Sequence, residues 1–256
     1  MKDYLSEDRS LHLVRADFLD ADGLFELHST TGSRFDLVIT SPPYNLGKGY
    51  ADGDDKPYAE YLDWSRRWMG MAHKFCAPHA RFCLNIPLDK NKGGHHPVYA
   101  DLVRMAVEAR WSYFTTIVWN EGNISRRTAW GSWLSPSAPY VIAPVEMVAV
   151  FSKGDWGWPE QRGERGDCTR EEFIGWTNGL WTFPGESAKR IGHPSPFPVE
   201  LPRRLIKLFS FRGMKVLDPF VGSGTTLVAC RELGRKGMGF EKDARYVKLA
   251  RTRLGI

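Results

Sequence analysis

The chain has 256 residues, 42% hydrophobic and 25% charged with a net charge of +5, a composition typical of a globular protein and unlike that of a disordered or fibrous one. The absence of any apolar run of about 18 residues excludes a membrane span, and the first residues lack the apolar core of a signal peptide. The widely scattered cysteines, without paired spacing, predict reduced thiols in a cytoplasmic protein.

Short apolar runs rich in β-branched residues alternate with amphipathic stretches, which predicts an α/β fold with a mostly parallel sheet. In chain order the predicted elements are strands 11–16 and 36–40, helix 58–76, strand 81–86, helix 97–110, strands 113–119 and 145–151, helix 200–210, strand 214–218, helix 224–234, strand 237–241 and helix 243–254. Because no helix precedes strand 145–151, we expect it to form an antiparallel hairpin with a neighbouring strand.

The first motif lies where predicted strand 36–40 ends, in the turn Ser41-Pro42-Pro43-Tyr44. Two prolines stop the strand, so the turn lies at the carboxyl edge of the sheet, where ligands bind in open α/β folds. The Ser41 hydroxyl and the Pro42 carbonyl could accept both N–H groups of a planar amine and direct its lone pair at a methyl donor. Tyr44 offers a flat face for an extruded base. A turn that only ends the strand is the alternative.

Residues 120–198 interrupt the alternation with many tryptophans, glycines and prolines. Irregular segments of this length in a compact domain are usually functional, and a packed surface excursion is the alternative. We therefore expect a single catalytic domain over residues 1–256 with an inserted target-recognition region at about 120–190, its main segment being 152–185.

The second motif, Val216–Thr226, is a strand that runs into a glycine-rich turn and a helix. A phosphate-binding loop would need a lysine here, and a dinucleotide-binding turn would need a third glycine where the chain has Leu227. The nucleoside-binding turn of methyltransferases fits without change. About 20 residues on, Glu241 ends the next strand, where a carboxylate can bind both ribose hydroxyls of a nucleoside.

In this order, Ser41–Tyr44 and Asp218–Gly224 resemble the motifs of the amino-methylating (cytosine-N4 and adenine-N6) DNA methyltransferases of bacteria and archaea. The catalytic turn before the cofactor turn is similar to the permuted β arrangement, and the Ser-Pro-Pro-Tyr sequence to one subgroup of it. His193–Pro198 and Gly122–Ser137 also resemble family segments, so the resemblance covers nearly the whole chain. It implies a Rossmann-like, S-adenosylmethionine-dependent methyltransferase fold with circularly permuted motif order.

The resemblance also implies roles for single residues. The catalytic turn would be Ser41, Pro42, Pro43 and Tyr44, and Glu241 would bind the ribose. Asp17, after the first predicted strand, would accept from the adenine amine, with a simple turn residue as the alternative. The remaining predicted cofactor-binding residues are Ser195, Phe197, Asp218, Phe220, Gly222, Gly224, Thr225 and Thr226.

The first residue of the catalytic turn bears on the target base. Family members with serine resemble cytosine-N4 enzymes, whereas aspartate or asparagine is more usual for adenine-N6. We therefore expect a cytosine-N4 DNA methyltransferase that flips its base, with adenine-N6, RNA and protein-amide substrates as alternatives. A catalytically silent DNA-binding module is the non-enzymatic alternative. Methylation at carbon 5 would need a cysteine beside a proline in such a turn, which the chain lacks.

A basic chain suits a polyanionic partner, and residues 201–256 hold 13 Lys/Arg against 4 Asp/Glu. Double-stranded DNA is the expected partner; a homodimer and a cognate restriction endonuclease stay open. The predicted DNA-binding residues, all in the irregular region, are Arg126, Arg127, Lys153, Arg162 and Arg165. No metal is expected, because the spacing of Cys76, His79 and Cys83 matches no common zinc pattern.

Overall fold

The computed structural model describes residues 2–21, 34–45, 56–89, 95–122, 130–141, 145–158 and 166–256. The strands are β1 (Lys2–Leu5), β2 (Leu11–Arg15), β3 (Phe35–Thr40), β4 (Cys76–Pro87), β5 (Ser112–Asn120), β6 (Trp130–Gly131), β7 (Pro139–Tyr140), β8 (Val145–Ser152), β9 (Leu180–Thr182), β10 (Lys215–Asp218) and β11 (Lys236–Phe240). The helices are α1 (Tyr58–Phe75), α2 (Val98–Glu108), α3 (Arg170–Trp176), α4 (Ala188–Ile191), α5 (Glu200–Phe209), α6 (Thr225–Glu232) and α7 (Ala244–Leu254).

Within the described residues, nine strands form one sheet in the order β1-β2-β11-β10-β3-β4-β8-β5-β9. Strands β2, β11, β10, β3 and β4 run parallel, and β8 pairs antiparallel with both β4 and β5. This confirms the predicted α/β class and the antiparallel pairing of strand 145–151. The predicted elements lie within a few residues of the observed ones, except that β4 begins five residues earlier than expected.

Strand β3 shows how the sequence builds the layers. All six of its residues are buried, and successive side chains enter opposite cores. Val38 packs in the core that contains Trp68 of α1, whereas Leu37 and Ile39 pack in the core that contains Leu205 of α5. A strand covered by helices on both faces is expected to be apolar throughout, which is the pattern of a parallel sheet.

The ends of the parallel strands define two edges of the sheet, a carboxyl edge and the edge opposite to it. At the carboxyl edge, the parallel strands end at Arg15, Thr40 and Asp218, and antiparallel β8 begins there at Val145. At the opposite edge, β3 and β4 begin and β8 ends. No helix among the described residues is long and apolar enough to cross a lipid bilayer.

Candidate active site at the carboxyl edge of the sheet

Two cavities open at the carboxyl edge and share a wall. The larger has a volume of about 320 Å³ and lies between the 16–20 turn, the glycine turn and the start of α1. The smaller, of about 170 Å³, lies beyond the Ser-Pro-Pro-Tyr turn. Ser41, Ser195, Pro196 and Phe197 line both cavities, so ligands in the two would meet at Ser41.

The glycine turn forms one side of the larger cavity. Gly222 (φ 49°) and Gly224 (φ 83°) both have left-handed backbone, which glycine adopts at least cost, and α6 begins directly after them at Thr225. A Cβ on Gly222 would lie 2.8 Å from Nε2 of His193, so a side chain there would push into the cavity wall. Phe220, Gly222 and Thr225 line the cavity, and their binding of the cofactor stays a prediction.

Asp218 has a different position from the predicted one. Its side chain is 1% exposed and does not line the cavity; its two oxygens accept from Thr226 Oγ1 (2.6 Å), Thr40 Oγ1 (2.7 Å) and the Phe220 N–H (3.0 Å). Burial raises the pKa of Asp218 to about 6, opposed by these bonds. Gly224 and Thr226 also lie behind the cavity wall. Asp218, Gly224 and Thr226 therefore support the glycine turn from behind, whereas Phe220, Gly222 and Thr225 face the cavity.

Glu241 lies on the cavity wall where β11 ends. Its carboxylate accepts from the backbone N–H of Gly222 (3.1 Å) and of Asp243 (2.8 Å), which ties β11 to the glycine turn. Burial is the main cause that raises the pKa of Glu241 to about 7, although both backbone bonds lower it. A carboxylate with unused lone pairs in a cavity can accept further hydroxyl groups.

Asp17, Ser195 and Phe197, which the resemblance assigns to cofactor binding, also line the larger cavity. Asp17 caps the short 3-10 helix Phe18–Asp20 by accepting from the Leu19 N–H at 2.9 Å. The Ser195 N–H donates to Nδ1 of His193, whose ring contacts Tyr246 of α7. The segment before α5 is thereby held against the glycine turn.

The Ser-Pro-Pro-Tyr turn is held from both sides. Asn45, which follows it with a positive φ of 55°, donates to the Lys56 carbonyl (2.9 Å) and accepts from the Lys56 N–H (2.7 Å). Tyr44 is buried and its hydroxyl bonds the hydroxyl of Ser41. Ser41 and Tyr44 line the smaller cavity, Pro43 lines the larger one, and Pro42 lines neither.

Sequence reasoning missed two groups of lining residues. Tyr61, Trp64 and Arg67 of α1 line the larger cavity, and Trp64 contacts Phe220 with 5.3 Å between ring centroids. Asn85 of β4 and Glu146 of β8 line the smaller cavity. The aromatic residues along one side of α1 could have indicated the first group from the sequence. Nothing in the sequence indicates that β4 pairs with β8, which brings the second group together.

Of the predicted DNA-binding residues, Arg126, Arg127, Arg162 and Arg165 lie outside the described residues. Lys153 follows β8 at the edge of the sheet opposite the cavities, and its ammonium donates to the carbonyls of His73 (2.6 Å) and Cys76 (2.8 Å). Burial is the main cause that lowers the pKa of Lys153. This placement favours a structural role, and contact with DNA stays a prediction.

All four cysteines are free thiols, three of them buried, and burial raises the pKa of Cys76, Cys83 and Cys230. In the described part of the chain, no group of three or more His, Cys, Asp or Glu side chains could hold a metal ion. The expectation that no metal takes part stays a prediction.

The chain is similar to known proteins over most of its length. A family profile described as DNA methylase, for N6 and N4 enzymes, matches residues 35–252. Type II methyltransferase M.MjaVI of Methanocaldococcus jannaschii is 54% identical over 70% of this chain and 88% of its own length. Type II methyltransferase M.MjaI of the same organism is 33% identical over 86% of this chain and 85% of its own.

Solved structures show the same fold. TTHA0409 of Thermus thermophilus, crystallised in complex with S-adenosyl-L-methionine, superposes with a TM-score of 0.71 at 27% identity, covering 95% of this chain and 92% of its own. The cytosine-N4-specific PvuII DNA methyltransferase superposes with a TM-score of 0.68 at 22% identity, covering 95% of this chain and 86% of its own. At that identity the second match is evidence for the fold alone.

Proposed function

The chain belongs to the N6/N4 DNA methylase family, and from this premise we propose that it transfers a methyl group from S-adenosylmethionine to the exocyclic N4 amine of cytosine in double-stranded DNA. The observation that carries the proposal is the wall shared by the two cavities, with Ser41 facing both. A methyl donor in the larger cavity and a base in the smaller one would meet at the Ser-Pro-Pro-Tyr turn.

The larger cavity suits S-adenosylmethionine, which when bound supplies an electrophilic sulfonium methyl group. Its volume lies within the range of about 300–1,000 Å³ typical of small-molecule sites. Glu241 would accept from the ribose hydroxyls and Asp17 from the adenine amine, while Ser195 and Phe197 would hold the methionine end. A side chain at Gly222 would displace the His193 ring, which lies 2.8 Å from the position of a Cβ and lines the same cavity.

The smaller cavity suits a planar amine. Its volume of about 170 Å³ is enough for a single base, and the charged residues among its described lining are Glu121, Glu146 and Glu186. An acidic wall favours an amine nitrogen that gains positive charge as it is methylated. The Ser41 hydroxyl would accept one N–H group there. Pro42 lines neither cavity, so its carbonyl would accept the other N–H group only after the bound base reaches past the cavity wall. The two bonds would hold the nitrogen near tetrahedral geometry, and the surplus proton then leaves for solvent.

The base must leave the duplex to reach this cavity, because a paired amine is not accessible. Cytosine is proposed on the identity of Ser41 alone, since serine at this position resembles the cytosine-N4 enzymes of the family. Adenine-N6 is the second candidate, because adenine carries a similar amine beside a ring nitrogen.

We propose that the irregular region at about 120–190 reads the DNA sequence, and the described residues favour one part of it. The connection from β5 to β8 leaves the sheet at Glu121 and returns at Val145, both at the edge where the cavities open. By contrast, the predicted main segment 152–185 starts at the opposite edge and reaches the cavity edge only where β9 pairs with the end of β5. The β5–β8 connection therefore has the shorter path to DNA docked over the cavities. A homodimer, a cognate endonuclease and a cytoplasmic location stay predictions.

The proposal is tested by incubating unmodified genomic DNA with isotopically labelled S-adenosylmethionine and analysing the nucleosides by mass spectrometry. Labelled N4-methylcytosine is expected. Labelled N6-methyladenine would keep the reaction and overturn the choice of base. If the protein binds S-adenosylmethionine but labels no DNA, the DNA substrate is wrong and RNA or protein amides must be tested.

Binding of S-adenosylmethionine is expected to weaken as the pH falls below about 7. Ribose hydroxyls donate to the ionised form of Glu241, and the pKa of that carboxyl is raised to about 7, so protonation removes the acceptor in this range. The dissociation constant, measured by calorimetry, should rise about tenfold between pH 8 and pH 6. In Glu241→Gln this dependence should flatten, which separates Glu241 from titration of the ligand itself; an unchanged slope would contradict its role.

A further inference from the structure

A chain of hydrogen bonds runs from the Ser-Pro-Pro-Tyr turn to a carboxylate on β8. The Ser41 hydroxyl bonds the Tyr44 hydroxyl, and Tyr44 in turn donates to Oε2 of Glu146 at 3.3 Å. Asn85 braces both, because its Nδ2 lies 2.5 Å from the same Glu146 oxygen and 3.2 Å from the Tyr44 hydroxyl. Neither residue was expected from the sequence, and Glu146 lies more than 100 positions from the turn.

The direction of this chain depends on where the single proton of the Tyr44 hydroxyl goes. Three acceptors lie within reach: the Ser41 hydroxyl oxygen, Oε2 of Glu146 at 3.3 Å and the backbone carbonyl of Asn85 at 3.5 Å. An ionised carboxylate only accepts and is the strongest acceptor of the three. With the Tyr44 proton on Glu146, the Tyr44 oxygen accepts from Ser41, and the remaining lone pairs of Ser41 are available to the smaller cavity.

We infer that Glu146 is a positioning residue that acts through Tyr44 to keep Ser41 a hydrogen-bond acceptor toward the target amine. The inference rests on the proposed function. An exocyclic amine donates to the turn, so a Ser41 hydroxyl that turned its own proton toward the amine would repel it. Glu146 prevents this rotation of the Ser41 hydroxyl without contacting the base. Its oxygen accepts the proton of Tyr44, so the Tyr44 oxygen is left to accept from Ser41.

The amide of Asn85 is oriented by the same carboxylate. Asn85 is 2% exposed, and its Oδ1 is a buried acceptor to which no donor in the described residues bonds. Exchanging the two amide atoms would not help, because the oxygen would then face the Glu146 carboxylate. An unsatisfied buried acceptor costs about 1–3 kcal/mol, so the bonds that Nδ2 donates to Glu146 and Tyr44 are kept at the expense of the other amide atom.

The test is a double-mutant cycle on the single-turnover rate of methyl transfer, with Tyr44→Phe, Glu146→Ala and the double variant. Each single variant is expected to slow transfer about 100-fold, the scale of losing one oriented group at a reacting atom. Because both act through the same bond, the double variant should fall no more than about threefold below the slower single variant. The isosteric Glu146→Gln should lose about tenfold, since an amide oxygen accepts but carries no charge.

Measured affinities for both ligands distinguish a positioning role of Glu146 from a general loss of structure in its variants. The dissociation constants for S-adenosylmethionine and DNA should stay within about twofold of wild type in every variant, as should the activity of the control Glu108→Gln. Glu108 pairs with Arg104 on the exposed face of α2. If the losses multiply, or if Glu146→Ala and Glu146→Gln both transfer at the wild-type rate, the inference is wrong. A wild-type protein that methylates no amine would instead overturn the proposed function.

Discussion

Ser41→Ala is expected to slow methyl transfer by about two to three orders of magnitude while S-adenosylmethionine binds as before. The variant removes one of the two acceptors proposed to hold the amine, and losing one oriented group that stabilises a transition state costs about 10²–10³-fold. Single-turnover measurements isolate this step from product release. The lost hydroxyl bonds the Tyr44 hydroxyl, which keeps Glu146 and Asn85 as partners, so the melting temperature should change little.

A matched control is Thr252→Val, which removes the hydroxyl of an exposed residue that bonds only the Lys248 carbonyl within α7. Its transfer rate should equal that of wild type within about twofold. If Ser41→Ala transfers methyl groups within about fivefold of wild type, Ser41 is not the acceptor and the assignment of the smaller cavity fails with it.

Asp218→Ala is expected to lower the free energy of unfolding by about 3 kcal/mol, the range for leaving buried donors without an acceptor. The variant leaves three buried donors without an acceptor: the hydroxyls of Thr226 and Thr40 and the N–H of Phe220. Urea unfolding near pH 5 is the appropriate measurement, because burial raises the pKa of Asp218 to about 6 and the stability that the carboxyl contributes falls as the pH rises through that value.

Asp63→Ala is the control, because Asp63 is an exposed carboxylate on α1 that pairs with Arg66 at 2.7 Å. Exposed pairs of this kind contribute about 0–1 kcal/mol, so its unfolding free energy should hardly change. Asp218→Ala should also weaken S-adenosylmethionine binding, since the glycine turn would lose its support. Equal stability of the Asp218 and Asp63 variants would show that the buried bonds contribute nothing net.

The regular elements could be predicted because their patterns are local. Strand β3 is apolar at four of its six positions and is followed closely by two prolines, and the turn after β10 carries its glycines at the positions that have left-handed backbone. The role of Asp218 could not be predicted, because a motif gives the residue and not the direction of its side chain. Glu146 and Asn85 come together only through the register of β4 with β8.

The position of the recognition region relative to the cavities could not be predicted from the sequence either. Both halves of residues 120–190 have the same irregular, tryptophan-rich composition, and only the direction of β8 decides which edge each half leaves from. Because β8 runs antiparallel to β4, its end carries the chain, with Lys153, away from the cavities. Lys153 therefore lies at the end of α1, where its ammonium donates hydrogen bonds to two backbone carbonyls.

The wall between the two cavities makes the two proposed ligands thermodynamically dependent on each other. Ser41, Ser195, Pro196 and Phe197 belong to both binding surfaces, so any shift of these residues when one cavity fills changes the shape of the other. If the donor raises the affinity for DNA by some factor, DNA must raise the affinity for the donor by the same factor. Spent donor lacks both the methyl group and the positive charge on sulfur, so spent and fresh donor would differ in this coupling.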